Sequence, residues 1–235
     1  MHEVAHQWWQ SLVATNEARE PWLDEGFADY STARLFTEKH GLPFDRPSME
    51  RFTPSFLEGR RQSFLRSPEV PMYGAAWEFA YSDYVVATYA KPVMSFLTLE
   101  RTLGLETTLE IFNTYFERYR FGHPTTADFQ AVAVEVSGEP LDWFFEGLVY
   151  GGDTLNYLAR SIEGGAFTVE RQGEIELPAE VLVTFARGAS ETVLCPAEET
   201  LCTHSFPGRA IRSIQVDPER KLIIDLDWTD NFLTK

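Results

Sequence analysis

Near Gly151-Gly152 the spacing of apolar residues changes, and this change constrains the fold more than any other feature of the chain. Before it, apolar residues recur at helical intervals; after it, they alternate or fall in short runs such as FTVER, EVLVTFA and KLIIDLDW. A helical period and a period of two cannot describe one kind of layer, so the pattern predicts an α+β chain of two domains. Residues 1–153 are expected to form a mainly α-helical domain and residues 157–235 a small all-β sandwich. Gly164-Gly165, Gly173, Gly188, Pro207-Gly208 and Asp217-Pro218 supply turns between the strands.

Within the first part, residues 1–13 contain neither Gly nor Pro and read as one helix. Pro21 stands at a helix start, where its missing N–H costs nothing, and a helix is expected from Trp22 to about Lys39, closed by Gly41 and Pro43. A short helix is expected around 48–64, with longer ones at 91–103, 106–119, 126–137 and 140–148. Thr125 and Thr126 offer an N-cap for the helix at 126–137, and Asp128 lies in its first turn.

The chain has 235 residues, 44% of them hydrophobic and 14% aromatic, enough for packed cores rather than disorder. Its formal net charge of −16 would repel phosphates, which argues against nucleic acid as a partner; it suits positively charged ligands such as a peptide's free amino terminus and equally a solubilising acidic surface. No run approaches the roughly 18 apolar residues of a membrane span. Two cysteines, Cys195 and Cys202, flank the polar stretch PAEETL; from sequence they read equally as a disulfide or as two buried thiols.

The chemistry is concentrated at the start of the chain. His2-Glu3-Val4-Ala5-His6 places two imidazoles four residues apart, on one face of a helix, where both can reach one metal ion. Glu3 adjoins the first histidine and is placed to act on a water rather than on the metal. Residues 7–24, an 18-residue spacer, separate His6 from Glu25, which lies in W-L-D-E-G-F-A-D-Y. By itself Glu25 is an acid favoured in the first turn of a helix. With two histidines upstream it completes a set of three protein ligands, the number a catalytic zinc site uses while leaving a position open.

Those residues carry a resemblance to a known family. HExxH, the 18-residue spacer and the glutamate within W-L-x-E-G-F-A resemble the zinc signature of the M1 family of zinc aminopeptidases, gluzincins with a thermolysin-like catalytic domain; Q-W-W after His6 is also similar. The resemblance implies one zinc ion per chain held by His2, His6 and Glu25, with Glu3 as the general base and peptides as substrates. Tyr89-Ala90-Lys91 resembles the family's Y-x-K-G segment, whose tyrosine donates a hydrogen bond to the tetrahedral oxyanion. Tyr89 is therefore expected as a second catalytic residue, with Pro92 in place of the glycine and Lys91 as a structural side chain. G-E-P-L-D-W-F-F-E-G-L-V-Y-G-G is similar to the end of the family's catalytic domain.

The family's G-x-M-E-N motif, which recognises the substrate's amino terminus, does not occur in this sequence. The expectation that follows is of a C-terminal fragment without the N-terminal lobe, holding zinc weakly and showing little activity. A zinc endopeptidase or an epoxide hydrolase on the same scaffold, and a non-catalytic peptidase-like binding protein, are the alternatives. The acidic composition, with a disulfide if one forms, points to a secreted or cell-envelope bacterial setting, the cytoplasm being the alternative. Asp24 is read as a neighbour of the metal or a solvated acid, Trp8 and Trp9 as packing residues, and His40, His123 and His204 as loop or surface histidines.

Overall fold

The structure, a computed structural model, describes residues 1–40 and 56–235. The chain divides into two compact units, Met1–Gly152 and Asp153–Lys235.

The first unit is helical. Its elements are α1 (His2–Ala5), α2 (Trp22–His40), α3 (Phe56–Phe64), α4 (Tyr81–Val85), α5 (Lys91–Leu103), α6 (Leu105–Tyr119) and α7 (Thr126–Ser137). The α7 start follows its sequence: the Thr125 N–H donates to the Asp128 carboxylate at 2.8 Å, the reciprocal half of a capping box. The core is aromatic. The Phe27 ring of α2 lies 4.9 Å from Phe129 of α7, 5.0 Å from Phe112 of α6 and 5.2 Å from Phe96 of α5. Buried Trp22 donates its indole N–H to Thr126 Oγ1 at 3.0 Å. Glu100 of α5 accepts from Tyr30 at 2.7 Å and Arg34 at 3.1 Å. The α2 helix, which carries Glu25, is thereby held from Trp22 to Arg34.

Four expectations are corrected or refined by the structure. The helix expected over 1–13 ends at Ala5, and turns follow. Gln10 has φ +102°, a left-handed conformation no helix contains, and the Ser11 N–H folds back to the His6 carbonyl. This lets Trp9 turn inward, 5.2 Å from Phe27, with its indole N–H on Ser31. Trp8 is 48% exposed, so of the two tryptophans Trp9 is the one that packs. Of the helix expected around 48–64, α3 accounts for the second half, and positions 48–55 lie outside the described residues. The helix expected at 140–148 is present as a π-helical segment, Trp143–Val149.

A second π-helical segment, Val86–Ala90, joins α4 to α5. Its wider turn rotates the side chains that follow relative to a regular helix, and Tyr89 sits on it. Pro92, where the resembled motif has glycine, falls in the first turn of α5, a position proline suits. Lys91 is fully buried and donates Nζ to the Val70 carbonyl at 2.9 Å, a structural role.

The second unit holds two antiparallel sheets. One has the order β1 (Asn156–Glu163), β2 (Ala166–Gln172), β5 (Leu201–Ser205); the other runs β4 (Ser190–Cys195), β3 (Ala179–Phe185), β6 (Ile211–Val216), β7 (Phe232–Thr234). Alternate residues of β3 (Ala179, Val181, Val183 and Phe185) are buried, the period-two pattern of a sheet with one face on the core. Cys195 ends β4 in one sheet and Cys202 lies on β5 in the other, and the two form a disulfide. Of the two readings left open by the sequence, the bonded one holds.

Candidate metal centre

Helix α1 is only four residues long, yet that single turn brings His2 and His6 to one side, with ring centroids 4.7 Å apart. Glu25 reaches the same point from the first turn of α2. His2 Nε2 and His6 Nε2 are 3.0 Å apart, and Glu25 Oε2 lies 2.9 Å from the first and 3.3 Å from the second. Three lone-pair donors therefore converge on one point. Zinc bonds of about 2.0–2.1 Å in a tetrahedron put its ligand atoms about 3.3 Å apart, so the donor set suits that ion. The three side chains keep 22%, 18% and 21% of their surface exposed, which leaves an approach from solvent.

Each imidazole is held from behind. His2 Nδ1 lies 2.8 Å from Asp29 Oδ1, and His6 Nδ1 lies 3.1 Å from the Trp9 carbonyl. Both contacts require a proton on Nδ1, which turns the Nε2 lone pair towards the shared point. Asp29 is fully buried, and its other oxygen pairs with Arg60 Nε of α3 at 2.7 Å. Asp29 and Arg60 are not among the candidates that the sequence offers. Asp29 carries a signal, since it follows Glu25 by one helical turn and shares its face; the run FLEGRRQSF carries none for Arg60.

Tyr89 joins the cluster from the π-helical segment, donating its hydroxyl to Glu25 Oε1 at 2.8 Å. The left-handed turn at Gln10 and the inward Trp9 also serve the site, because they present the carbonyl that His6 uses. Glu3 is different: it is exposed and takes no part in this network. Asp24 is 3% exposed, so it is a buried neighbour of Glu25 rather than a solvated acid.

The electrostatics follow from these contacts. Without a metal, hydrogen bonding to Asp29 and then to Glu25 raises the His2 pKa to about 9. Burial opposes ionisation of Glu25, but hydrogen bonds from His2 and Tyr89 outweigh it and hold the carboxyl below its usual range. Burial, with the hydrogen bond to Glu25, keeps the Tyr89 phenol protonated well above its ordinary value. Burial, and then the Glu25 charge, pushes Asp24 up to about 7. A second grouping, Cys195, Cys202 and His204, has both sulfurs in the disulfide and offers no thiolate. No helix among the described residues is long and apolar enough to cross a membrane.

The chain is 26% identical over 151 residues to aminopeptidase M1-C of Oryza sativa subsp. japonica, a match covering 60% of this chain and 16% of the relative. To aminopeptidase N of Streptomyces lividans it is 27% identical over 225 residues, which cover 95% of this chain and 25% of the relative. It thus spans a quarter or less of these relatives' length. A crystal structure of Legionella pneumophila aminopeptidase A in complex with aspartic acid shares the fold, with a TM-score of 0.67 and 17% identity over 95% of this chain and 26% of that one. The model of the peptidase family M1 domain matches residues 1–148, more than half of the chain, and the chain belongs to that family.

Proposed function

We propose that the chain is the zinc-holding part of a metallo-aminopeptidase, with His2, His6 and Glu25 as ligands of one zinc ion and peptides as substrates. One observation carries this reading: the three donor atoms lie within 3.3 Å of one another, and both histidines are fixed through their far nitrogens. In this reading the helical unit, to about residue 153, is the catalytic domain, and the β-sandwich follows it in the sequence. Bound at this point, zinc supplies Lewis acidity and makes water ionise near neutral pH.

The remaining chemistry belongs to the protein. Glu3, on the solvent side of α1, takes the proton of the attacking water and delivers it to the departing amine. Water adds to the peptide carbonyl and the C–N bond breaks, leaving a carboxylate and an amine. Tyr89 supplies the hydrogen bond that steadies the oxyanion, its hydroxyl being held beside Glu25 until then. The net charge of −16 favours a substrate that presents a cationic amino terminus.

Elemental analysis tests the site: about one zinc per chain is expected in the wild type and almost none in Glu25→Ala. Glu3→Gln should keep its zinc and lose roughly 100-fold or more of whatever turnover of an aminoacyl anilide the wild type supports. Equal zinc in the Glu25 variant, or an unchanged rate in the Glu3 variant, contradicts these roles.

A further inference from the structure

Arg60 stands outside the residues that the motif and the family reading assign, yet it touches two of the groups behind the site. Its Nε pairs with Asp29 Oδ2 at 2.7 Å, while Asp29 Oδ1 holds His2 Nδ1 at 2.8 Å. Its guanidinium also lies over the Tyr89 ring, 5.1 Å from the centroid, and 5.2 Å from that of Phe56. Asp29 is fully buried and its charge needs a partner, because a buried carboxylate without one is strongly disfavoured. A planar guanidinium can bind a carboxylate through an edge while its face packs on an aromatic ring, which an ammonium cannot do.

We propose that Arg60 is a positioning residue: one side chain from α3 fixes Asp29 behind His2 and at the same time braces the Tyr89 ring, so the first metal ligand and the oxyanion donor keep a set relation. This rests on the zinc-site reading above. Arg60 acts through Asp29 and Tyr89 and touches neither metal nor substrate. Loss of its charge frees Asp29 to turn, and His2 loses its fixed orientation. Loss of its planar face alone leaves Asp29 paired but Tyr89 unsupported on that side.

The test is a zinc dissociation constant measured by competition with a chromophoric chelator. The full chain is compared as wild type, Arg60→Gln, Arg60→Lys and Glu25→Ala, each with a thermal melt of the metal-free protein. Changes behind a ligand histidine typically cost 10–100-fold in metal affinity, so Arg60→Gln is expected to bind zinc about 10-fold more weakly. Arg60→Lys should recover most of that loss, since the ion pair with Asp29 survives. A ¹³C-tyrosine NMR spectrum, with the Tyr89 signal assigned through Tyr89→Phe, should show that signal displaced in both Arg60 variants. A merely structural role would move the melt and leave the affinity of the folded protein and the Tyr89 signal unchanged. If Arg60→Gln does not fold, Arg60→Lys decides through the Tyr89 signal, and a wild-type signal there overturns the proposal. Wild-type affinity in a folded Arg60→Gln, beside loss in Glu25→Ala, overturns the Arg60 role and leaves the zinc site standing. A wild type that binds no zinc removes the site reading, and the Arg60 role with it.

Discussion

At the proposed site, a proton and zinc would compete for His2 Nε2. In the metal-free chain its pKa is raised from 6.5 to about 9, chiefly by Asp29 and then by Glu25. A pKa raised on folding gives stability that is fully present below about pH 6.5 and lost as pH rises through about 9. Zinc needs the neutral ring and must displace that proton, so its affinity should climb with pH by roughly tenfold per unit up to about pH 9. Chelator competition at pH 6.5, 7.5 and 8.5 checks this, and a flat profile rules out His2 as a ligand. The pairing of His2 with His6 was legible because one helical turn fixes the geometry of HExxH whatever surrounds it, whereas the approach of Glu25 rests on the packing of α2. The supports were legible in decreasing degree. Asp29 is one turn from Glu25 on the same helix, the Trp9 carbonyl depends on a left-handed residue that the sequence does not mark, and Arg60 arrives from a different helix.

Element by element, the site depends on how closely α2 approaches the start of α5. A Cβ added to Gly26 would sit 2.6 Å from the Cβ of Pro92, so the residue after Glu25 must be glycine for the two helices to meet as they do. The resembled segments have glycine on both sides of this contact, after the glutamate and after the lysine; here Pro92 fills the second place, and Gly26 alone leaves the space. Gly26→Ala is therefore expected to destabilise the helical unit by about 1–3 kcal/mol, as overpacking in a close contact does, and to weaken zinc binding by displacing Glu25. Urea unfolding of the metal-free chain, followed by zinc titration, reads both effects; an unchanged midpoint refutes the close-contact explanation. Helix starts and long periodic helices were readable because caps and apolar spacing are local. The early end of α1 was not, since it follows from the pull of the distant aromatic core on Trp9. The π-helical segments at Val86–Ala90 and Trp143–Val149 were not readable either, because their composition is that of ordinary helix.

In the molecule as a whole, each unit buries an apolar core of its own, aromatic in Met1–Gly152 and period-two in Asp153–Lys235, and each is stabilised by different chemistry. Zinc at the proposed site would stabilise the helical unit, because His2, His6 and Glu25 all lie within it. The β unit has the Cys195–Cys202 disulfide, which closes a loop of sequence separation 7 and ties strands of its two sheets together. Constraining so short a loop contributes about 2–2.5 kcal/mol in the chain-entropy account. The β unit also contains Asp225, buried and pushed up to about 7 by that burial, although it accepts from the Asn231 amide and the Tyr157 N–H. Its folded form binds the proton more tightly than its unfolded form, so this group lowers stability progressively as pH rises from about 4 to about 7. Asp225→Asn should remove that dependence. Calorimetry of the full chain should accordingly separate into two transitions. Added zinc raises one. Replacing both cysteines by serine lowers the other, and changing pH from 5 to 8 lowers that same transition in the wild type more than in Asp225→Asn. A single transition that responds to zinc and to the cysteine change alike would mean that the two cores unfold together, and stability in either unit would then have to be assigned to the whole chain.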